Sequence, residues 1–370
     1  MRIGVPKEIK SQEGRVAITP AGVHHLAQHG HSVTVEVGAG SESGISDEAY
    51  RSAGANLAQA DQVWDEAEMI IKVKEPIAPE YHYLRSDQIL FTYLHLAADK
   101  LQTDALLKAK TTAIGYEVVQ LDDGSLPLLS PMSEVAGRMS ALAGAVYSFR
   151  HFGGSGKLIS GVVGLPASKV VVIGAGVAGS NAAQMAMGMR SDVTIIDVNL
   201  HRLAQLDAEF GGRVKTLYST AYSVREAVAD ADIVVGSVLI PGGRTPKLVT
   251  RDMMMSAKPG SVWIDIAVDQ GGCFEDTHPT THADPVYPVG PAMLYAVANM
   301  PGAVPHTSTY ALTNATLAYA TQIADKGWKQ ACRDNKALGR GLSTYQGRLT
   351  TEPVAQAWGY PSISVQDALT

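Results

Sequence analysis

The chain has 370 residues, 46% of them hydrophobic and 18% charged, enough to bury two domain cores. Thirty Lys and Arg against 36 Asp and Glu give a formal net charge of -6 with no long basic run, which disfavours nucleic acid or an anionic membrane as partner. Cys273 and Cys332 form no C-x-x-C pair and the N-terminus Met1–Glu8 carries no apolar stretch, so a reducing, cytoplasmic setting without a signal peptide or lipid anchor is expected.

From the start, short β-branched runs alternate with amphipathic segments: Arg2–Val5, Ala21–Gln28, Ser32–Val37, Asp47–Ala53, Met69–Val73, Gln88–Leu94, Lys100–Lys108 and Thr111–Tyr116. That rhythm predicts a parallel α/β sheet with crossover helices. Thr19-Pro20 marks the first helix start and Gly30 its end. Apolar residues at Val135, Met139, Leu142 and Val146 recur at helical spacing within Ser130–His151, ahead of the glycine-rich residues 153–164. A connecting helix followed by a flexible crossing point is predicted there.

A second series follows, with Val170–Ile173, a helix over Ala178–Met189, Asp192–Asp197, Leu203–Glu209, Ala221–Ala229, Ile233–Ser237 and Ser261–Ile266. It predicts another doubly wound layer. The stretch Val170–Met189 is the most apolar, but Ser180, Asn181 and Gln184 interrupt it, so strand, turn and buried helix are expected in place of a membrane span. After Asn299 the pattern is one long helix, Thr309–Lys326, then shorter helical pieces and no strand series. Roughly seventy such residues make a poor core alone, so this tail is predicted to pack back on the first domain.

Strand Val170–Ile173 runs into Gly174-Ala175-Gly176-Val177-Ala178-Gly179 and then a helix, a dinucleotide fingerprint in its proper context. Gly174 permits the tight turn, Gly176 lets backbone approach a pyrophosphate, and Gly179 lets helix and strand pack. Asp197 ends the next strand, placed to accept from ribose hydroxyls and to repel a 2′-phosphate, which favours NAD over NADP although Arg202 is nearby. The structural alternative is glycines that only allow close packing and an Asp197 that caps the following helix.

Ligands of open α/β sheets sit outside the carboxyl ends of the strands, so polar residues there are the candidates. Lys74 follows Met69–Val73, His95 follows Ile89–Leu94, Asp269 follows Trp263–Ile266, and Arg15 lies in the loop after the first strand. Arg15 offers a planar fork for a carboxylate and Lys74 a point charge or a base. His95 suits proton transfer near neutral pH, and Asp269 can orient or activate water. Each could instead be a solvated or turn-forming residue. Strand alternation turns Lys72 and Asp265 the other way, and both read as structural. His278 and His282 lie near Cys273 and Asp284, but Pro279 and the threonines disfavour a helix, so no metal is expected. His24, His25, His29 and His31 read as a solvated face, and the methionines at 185, 187, 189 and 253–255 as core.

The residues now on the page resemble the bacterial L-alanine dehydrogenases along nearly the whole chain. The matching segments are Arg15–Pro20, Lys72–Pro76, Thr92–Ala97, Pro131–Arg138, Asp265–Gly272 and Asn299–Pro301. The resemblance implies two Rossmann-like doubly wound parallel-sheet domains with a cleft between them. It divides the chain into residues 1–129 with 305–370 for substrate and catalysis and residues 130–304 for NAD. It implies reversible, NAD-dependent oxidative deamination of L-alanine to pyruvate and ammonia, with Arg15 and Lys74 on the substrate and His95 and Asp269 sharing acid/base duty. It further places Ser133, Val177, Ala178, Asp197, Arg202, Ser219, Val238, Leu239, Ile266, Ala267, Val268, Asp269, Val297, Ala298, Asn299 and Met300 around NAD together with the three fingerprint glycines, and it implies a homohexamer. Some relatives bind a divalent ion near the long C-terminal helix, but Gln322 and Lys326 are poor ligands, so none is expected here. Tyr93, Leu129 and Met132 are expected around the alanine methyl, discriminating glycine only weakly. The rival readings are an NAD-binding transhydrogenase subunit, a saccharopine-type dehydrogenase and a non-catalytic NAD sensor.

Overall fold

Ile3 and Val5 alternate with Gly4 in strand β1 (Arg2–Val5), and Gly4 lets a covering helix come close. A Cβ there would lie 2.7 Å from the Val63 carbonyl oxygen and 2.8 Å from Ala67 Cβ. The computed structural model describes residues 1–238 and 245–370. β2 (Ser32–Glu36), β3 (Asn56–Ala58), β4 (Met69–Ile71), β5 (Ile89–Thr92) and β6 (Thr112–Gly115) join β1 in the order β6-β5-β4-β1-β2-β3, all parallel. β4, β5 and β6 are buried at every residue, as strands covered on both faces must be.

The second sheet holds β7 (Lys169–Ile173), β8 (Asp192–Asp197), β9 (Val214–Tyr218), β10 (Ile233–Gly236), β11 (Val262–Asp265), β12 (Val286–Val289) and β13 (Ala292–Tyr295). Its order is β12-β13-β11-β10-β7-β8-β9, with only the β12–β13 pair antiparallel. The sequence reading omits β3, β9, β12 and β13, of which three are edge strands and the fourth, β13, lies beside one. β9 exposes Lys215, Thr216 and Tyr218, and β12 carries Pro288, which a sheet tolerates only where no ladder donor is needed.

The chain then adds β14 (Leu342–Tyr345) and β15 (Arg348–Leu349) to the first sheet, β14 lying antiparallel to β6. This corrects the expectation of a strandless tail. A two-residue turn, Gln346 at φ 48° and Gly347 at φ 76°, closes the hairpin, and Gln-Gly is a weaker signal for it than Asn-Gly. Residues 302–370 therefore belong with residues 1–132 in one unit, and residues 133–301 form the other. The helix Pro305–Lys326 docks on the first unit through Thr309, whose hydroxyl accepts from Val16 N at 3.1 Å and meets Ser43 Oγ at 2.8 Å.

The helix Ser130–Tyr147 differs from its sequence reading. Val135 is buried and Met139 packs partly buried on the core, but Leu142 and Val146 are 49% and 41% exposed, and the rest of the buried face is built from Ala136, Gly137, Ser140, Ala141 and Gly144. A Cβ on Gly144 would lie 2.8 Å from Ile233 Cγ2, so small residues carry the packing where larger ones were expected. The chain crosses between units at 132–133, within this helix, and the glycine-rich segment is internal to the second unit. Ser155 N donates to Gly260 O at 2.9 Å and Gly156 N to Ser148 O at 2.8 Å. Among the described residues no helix is long and apolar enough to cross a membrane.

Candidate active site

In the first unit the loops after β1, β4 and β5 carry the candidate residues. Lys72, the first residue past β4, is fully buried and donates to Glu8 Oε2 at 3.0 Å and Glu80 Oε1 at 2.7 Å. Burial works against its ammonium, but the two carboxylates outweigh that and hold its pKa above the ordinary lysine value. Glu8 Oε1 also accepts from Val73 N at 2.6 Å and Lys74 N at 3.3 Å, fixing the backbone that presents the buried Lys74.

His95 Nδ1 lies 3.3 Å from Glu75 Oε2, and Lys10 pairs with the other oxygen. Burial would raise the Glu75 carboxyl; the hydrogen bond from His95 and the charges of Lys74, His95 and Lys10 override it and hold the group far below the usual carboxylate range. An ionised carboxylate only accepts, so Nδ1 carries the hydrogen and Nε2 is the atom left to exchange a proton. The His95 side chain is 27% exposed, and Tyr93 stacks beside it with centroids 5.8 Å apart.

Arg15 is buried. Its Nε donates to Glu13 Oε1 at 2.6 Å, Nη2 pairs with Oε2, and Nη1 faces Met132 Sδ at 3.0 Å. Burial raises the Tyr93 phenol and the Arg15 charge pulls it back, so the two are electrostatic neighbours. Arg15, Lys74 and His95 are thus linked: Arg15 acts on Tyr93, which stacks on His95, and Lys74 acts on Glu75, which holds His95. Assignment from residue type overlooked the acids Glu8, Glu13 and Glu75; only Glu13, two positions from Arg15, gave a local signal.

The second unit gathers the dinucleotide residues. Gly174 sits at φ 102°, its N donating to Ile196 O at 2.8 Å. A Cβ on Gly179 would fall 1.8 Å from Gly174 O, so any side chain there breaks the turn. A Cβ on Gly176 would meet nothing within 4 Å. Protein packing therefore does not require glycine at 176, while a phosphate at the N-terminus of the helix Val177–Gly188 would; the cradle fits a dinucleotide pyrophosphate. The helix Ser130–Tyr147 reaches this turn closely, since a Cβ on Gly137 would lie 2.1 Å from Ala178 O.

Asp197 Oδ2 accepts from Ala175 N at 2.6 Å and Oδ1 from Asn199 N at 2.8 Å, while Arg202 Nε donates to Ala175 O at 2.9 Å. Ser219 N donates to Asp197 O at 2.9 Å. Asp269 is exposed on a short 3-10 turn, and its Oδ2 accepts from Asn299 N at 3.2 Å; Asn299 is held at φ 58°. Ile266 N bonds Gly236 O at 2.9 Å, Ala298 N bonds Thr280 O at 3.1 Å, and the Val238 carbonyl accepts from Cys273 Sγ at 3.7 Å. Ala267, Val268, Val297 and Met300 are buried, so anything they give a ligand comes from backbone, while Ser133 and Ala178 are half-buried and Val177 is exposed. Leu239 lies outside the described residues. Asp265 is fully buried, accepting from Ala267 N, Cys273 N and Phe274 N. His29 and His31 are more than a solvated face: both bond the Asp325 carboxylate, at 3.1 and 2.8 Å.

Residues 4–136 match the model of the alanine dehydrogenase/PNT N-terminal domain and residues 140–352 that of the C-terminal domain. The chain is 55% identical over 362 residues to alanine dehydrogenase of Mycolicibacterium smegmatis, covering 98% of both chains. Among solved structures it resembles an L-alanine dehydrogenase with a TM-score of 0.92 and 47% identity, covering 97% of this chain and 99% of that one. A transhydrogenase from Sinorhizobium meliloti matches at a TM-score of 0.79 and 27% identity, covering 95% and 99%.

Proposed function

The chain belongs to the alanine dehydrogenase/PNT family, and we propose that it catalyses the reversible, NAD-dependent oxidative deamination of L-alanine to pyruvate and ammonia. The observation that carries this reading is the linked set of Arg15, Lys74 and the His95–Glu75 pair in one unit: two buried cations for a small carboxylate beside a group that can move a proton.

Arg15 and Lys74 hold the substrate carboxylate and carbonyl end. Glu13 fixes the Arg15 fork before substrate arrives, so little ordering remains to be done on binding. His95 and Asp269 share the proton transfers that deamination needs, taking protons as water adds to the imino acid and returning one to the departing ammonia. The turn Gly174–Gly179, Asp197, Arg202, Ser219 and Asn299 would hold NAD, with Ser133, Val238, Leu239 and residues 266–268 and 297–300 around it. When bound, its nicotinamide supplies the hydride acceptor for the alanine Cα hydrogen. Asp197 favours NAD over NADP by repelling a 2′-phosphate, and Arg202 is engaged with Ala175 O and Gln205 Oε1. Alanine with NAD should raise the reduced-nicotinamide absorbance, and NADP should give at most a tenth of that rate. Silence with alanine from neutral to alkaline pH would sink the reading and leave an NAD sensor in its place.

Self-association belongs to the same proposal. Phe149, Phe152, Leu158, Val162, Val163 and Leu165 expose large apolar side chains along one short stretch of the second unit, which supports self-association through it. Light scattering should give a hexamer, and Val163→Asp with Leu165→Asp a smaller species; an unchanged mass in the double variant would remove this surface from the assembly. The two buried thiols suit a reducing, cytoplasmic setting.

A further inference from the structure

Each of the three substrate-side residues stands on a glutamate that binds its backbone. Glu13 Oε1 accepts from Arg15 N at 3.1 Å, and Glu8 Oε1 accepts from Lys74 N at 3.3 Å. The third case is the most constrained. His95 N donates to Glu117 Oε1 at 2.6 Å, and Leu94 N donates to the same carboxylate at 3.2 Å to Oε1 and 3.1 Å to Oε2. Two successive N–H groups converging on one anion make a small backbone nest at the end of β5.

His95 needs that support because its φ is 51°, in the left-handed region that a residue with a Cβ adopts only where its surroundings impose it. φ also decides where the Cα–Cβ bond points. Relaxation to a negative φ would swing the imidazole away from Glu75 Oε2, which it meets at 3.3 Å only from the present direction. Glu117 follows β6 on a short 3-10 turn and folds back toward Leu94 across Gly115. A Cβ on Gly115 would crowd Glu117 Oε2 at 3.2 Å, so the glycine clears the space that the carboxylate uses.

We propose that Glu117 is a positioning residue for the deamination: by binding the Leu94 and His95 N–H groups it locks His95 in the left-handed turn that delivers its ring to Glu75 and leaves Nε2 facing substrate. Glu117 acts through backbone alone and exchanges no proton. The proposal rests on the assignment of His95 to proton transfer.

Glu117→Ala should lower kcat by about ten- to a hundredfold, with KM for alanine and for NAD changed by less than about threefold. Glu117→Gln, whose amide oxygen still accepts from both N–H groups, should return kcat to within about fivefold of wild type. Nitrogen-15 spectra of histidine-labelled protein supply a readout that general loosening would not give. Wild type and Glu117→Gln should show His95 as the single tautomer with hydrogen on Nδ1, and Glu117→Ala should show a mixture. Wild-type kcat in Glu117→Ala, or a fall in kcat with the His95 tautomer unchanged, overturns the proposal. Should Glu117→Ala not fold, Glu117→Asp keeps the charge but withdraws the oxygens by one methylene, and the same two readings decide. If the wild-type protein is itself silent with alanine and NAD, the activity has failed, and the tautomer comparison still tests the role of Glu117.

Discussion

His95→Ala and Asp269→Asn are each expected to lower kcat by about 10²- to 10⁴-fold while leaving NAD affinity within a few-fold of wild type. The size follows from removing a positioned proton-transfer group, and the intact cofactor binding from what each residue touches. His95 is linked to Glu75, and the charges of Lys74 and Lys10 remain beside that carboxylate when the imidazole is gone, with Lys10 still paired to it. Asparagine at 269 retains an oxygen for Asn299 N, so the contact between the loops after β11 and β13 survives while the negative charge is lost. Steady-state rates with alanine, paired with calorimetric titration of NAD, separate the two effects. Near-normal turnover in either variant would strike that residue from the mechanism, and a parallel loss of NAD affinity in Asp269→Asn would recast it as a cofactor ligand only.

The parts of the fold that were legible in the sequence are those whose burial is two-sided. β4, β5 and β6 are buried at every residue because both faces are covered, and such mostly apolar runs stand out from any register. β9 and the β14–β15 hairpin escaped because an edge strand needs little apolar content and its pairing comes from distant backbone. The helix Ser130–Tyr147 was legible as a helix but only partly in its buried face, since close approach to a sheet is made by Gly and Ala, which carry almost no hydrophobic signal. The site divides the same way. Cations and an imidazole at strand ends are recognisable by type and address, whereas the carboxylates that bind the Lys74 and His95 backbone come from far along the chain. Glu8 reaches Lys74 across 66 positions and Glu117 reaches His95 across 22, and no local pattern encodes either meeting.

Lys72→Met is expected to cost about 3–5 kcal/mol of folding stability at neutral pH. Methionine fills much of the lysine volume, so the loss is electrostatic: Glu8 and Glu80 remain in a fully buried site without the ammonium that both now bind. Burial already holds the Glu8 carboxyl above its ordinary value despite Lys72, and without the ammonium it moves still further above its unfolded value. A group with a raised folded pKa binds more protons when folded, and stability falls as pH rises between the two values. The deficit of the variant should therefore be greatest near pH 7 and shrink on acidification toward about pH 5, which urea unfolding at both pH values measures. Adding Glu80→Gln should recover part of the loss by removing one uncompensated charge, while Glu8→Gln keeps an acceptor for Val73 N and Lys74 N. A cost below about 1 kcal/mol, or a deficit that grows as pH falls, would show that the buried charges do not depend on Lys72. Because Glu8 holds the Lys74 backbone as well, the same variant should weaken alanine binding more than NAD binding, tying the stability of this buried triad to the residue two positions further along that meets the substrate.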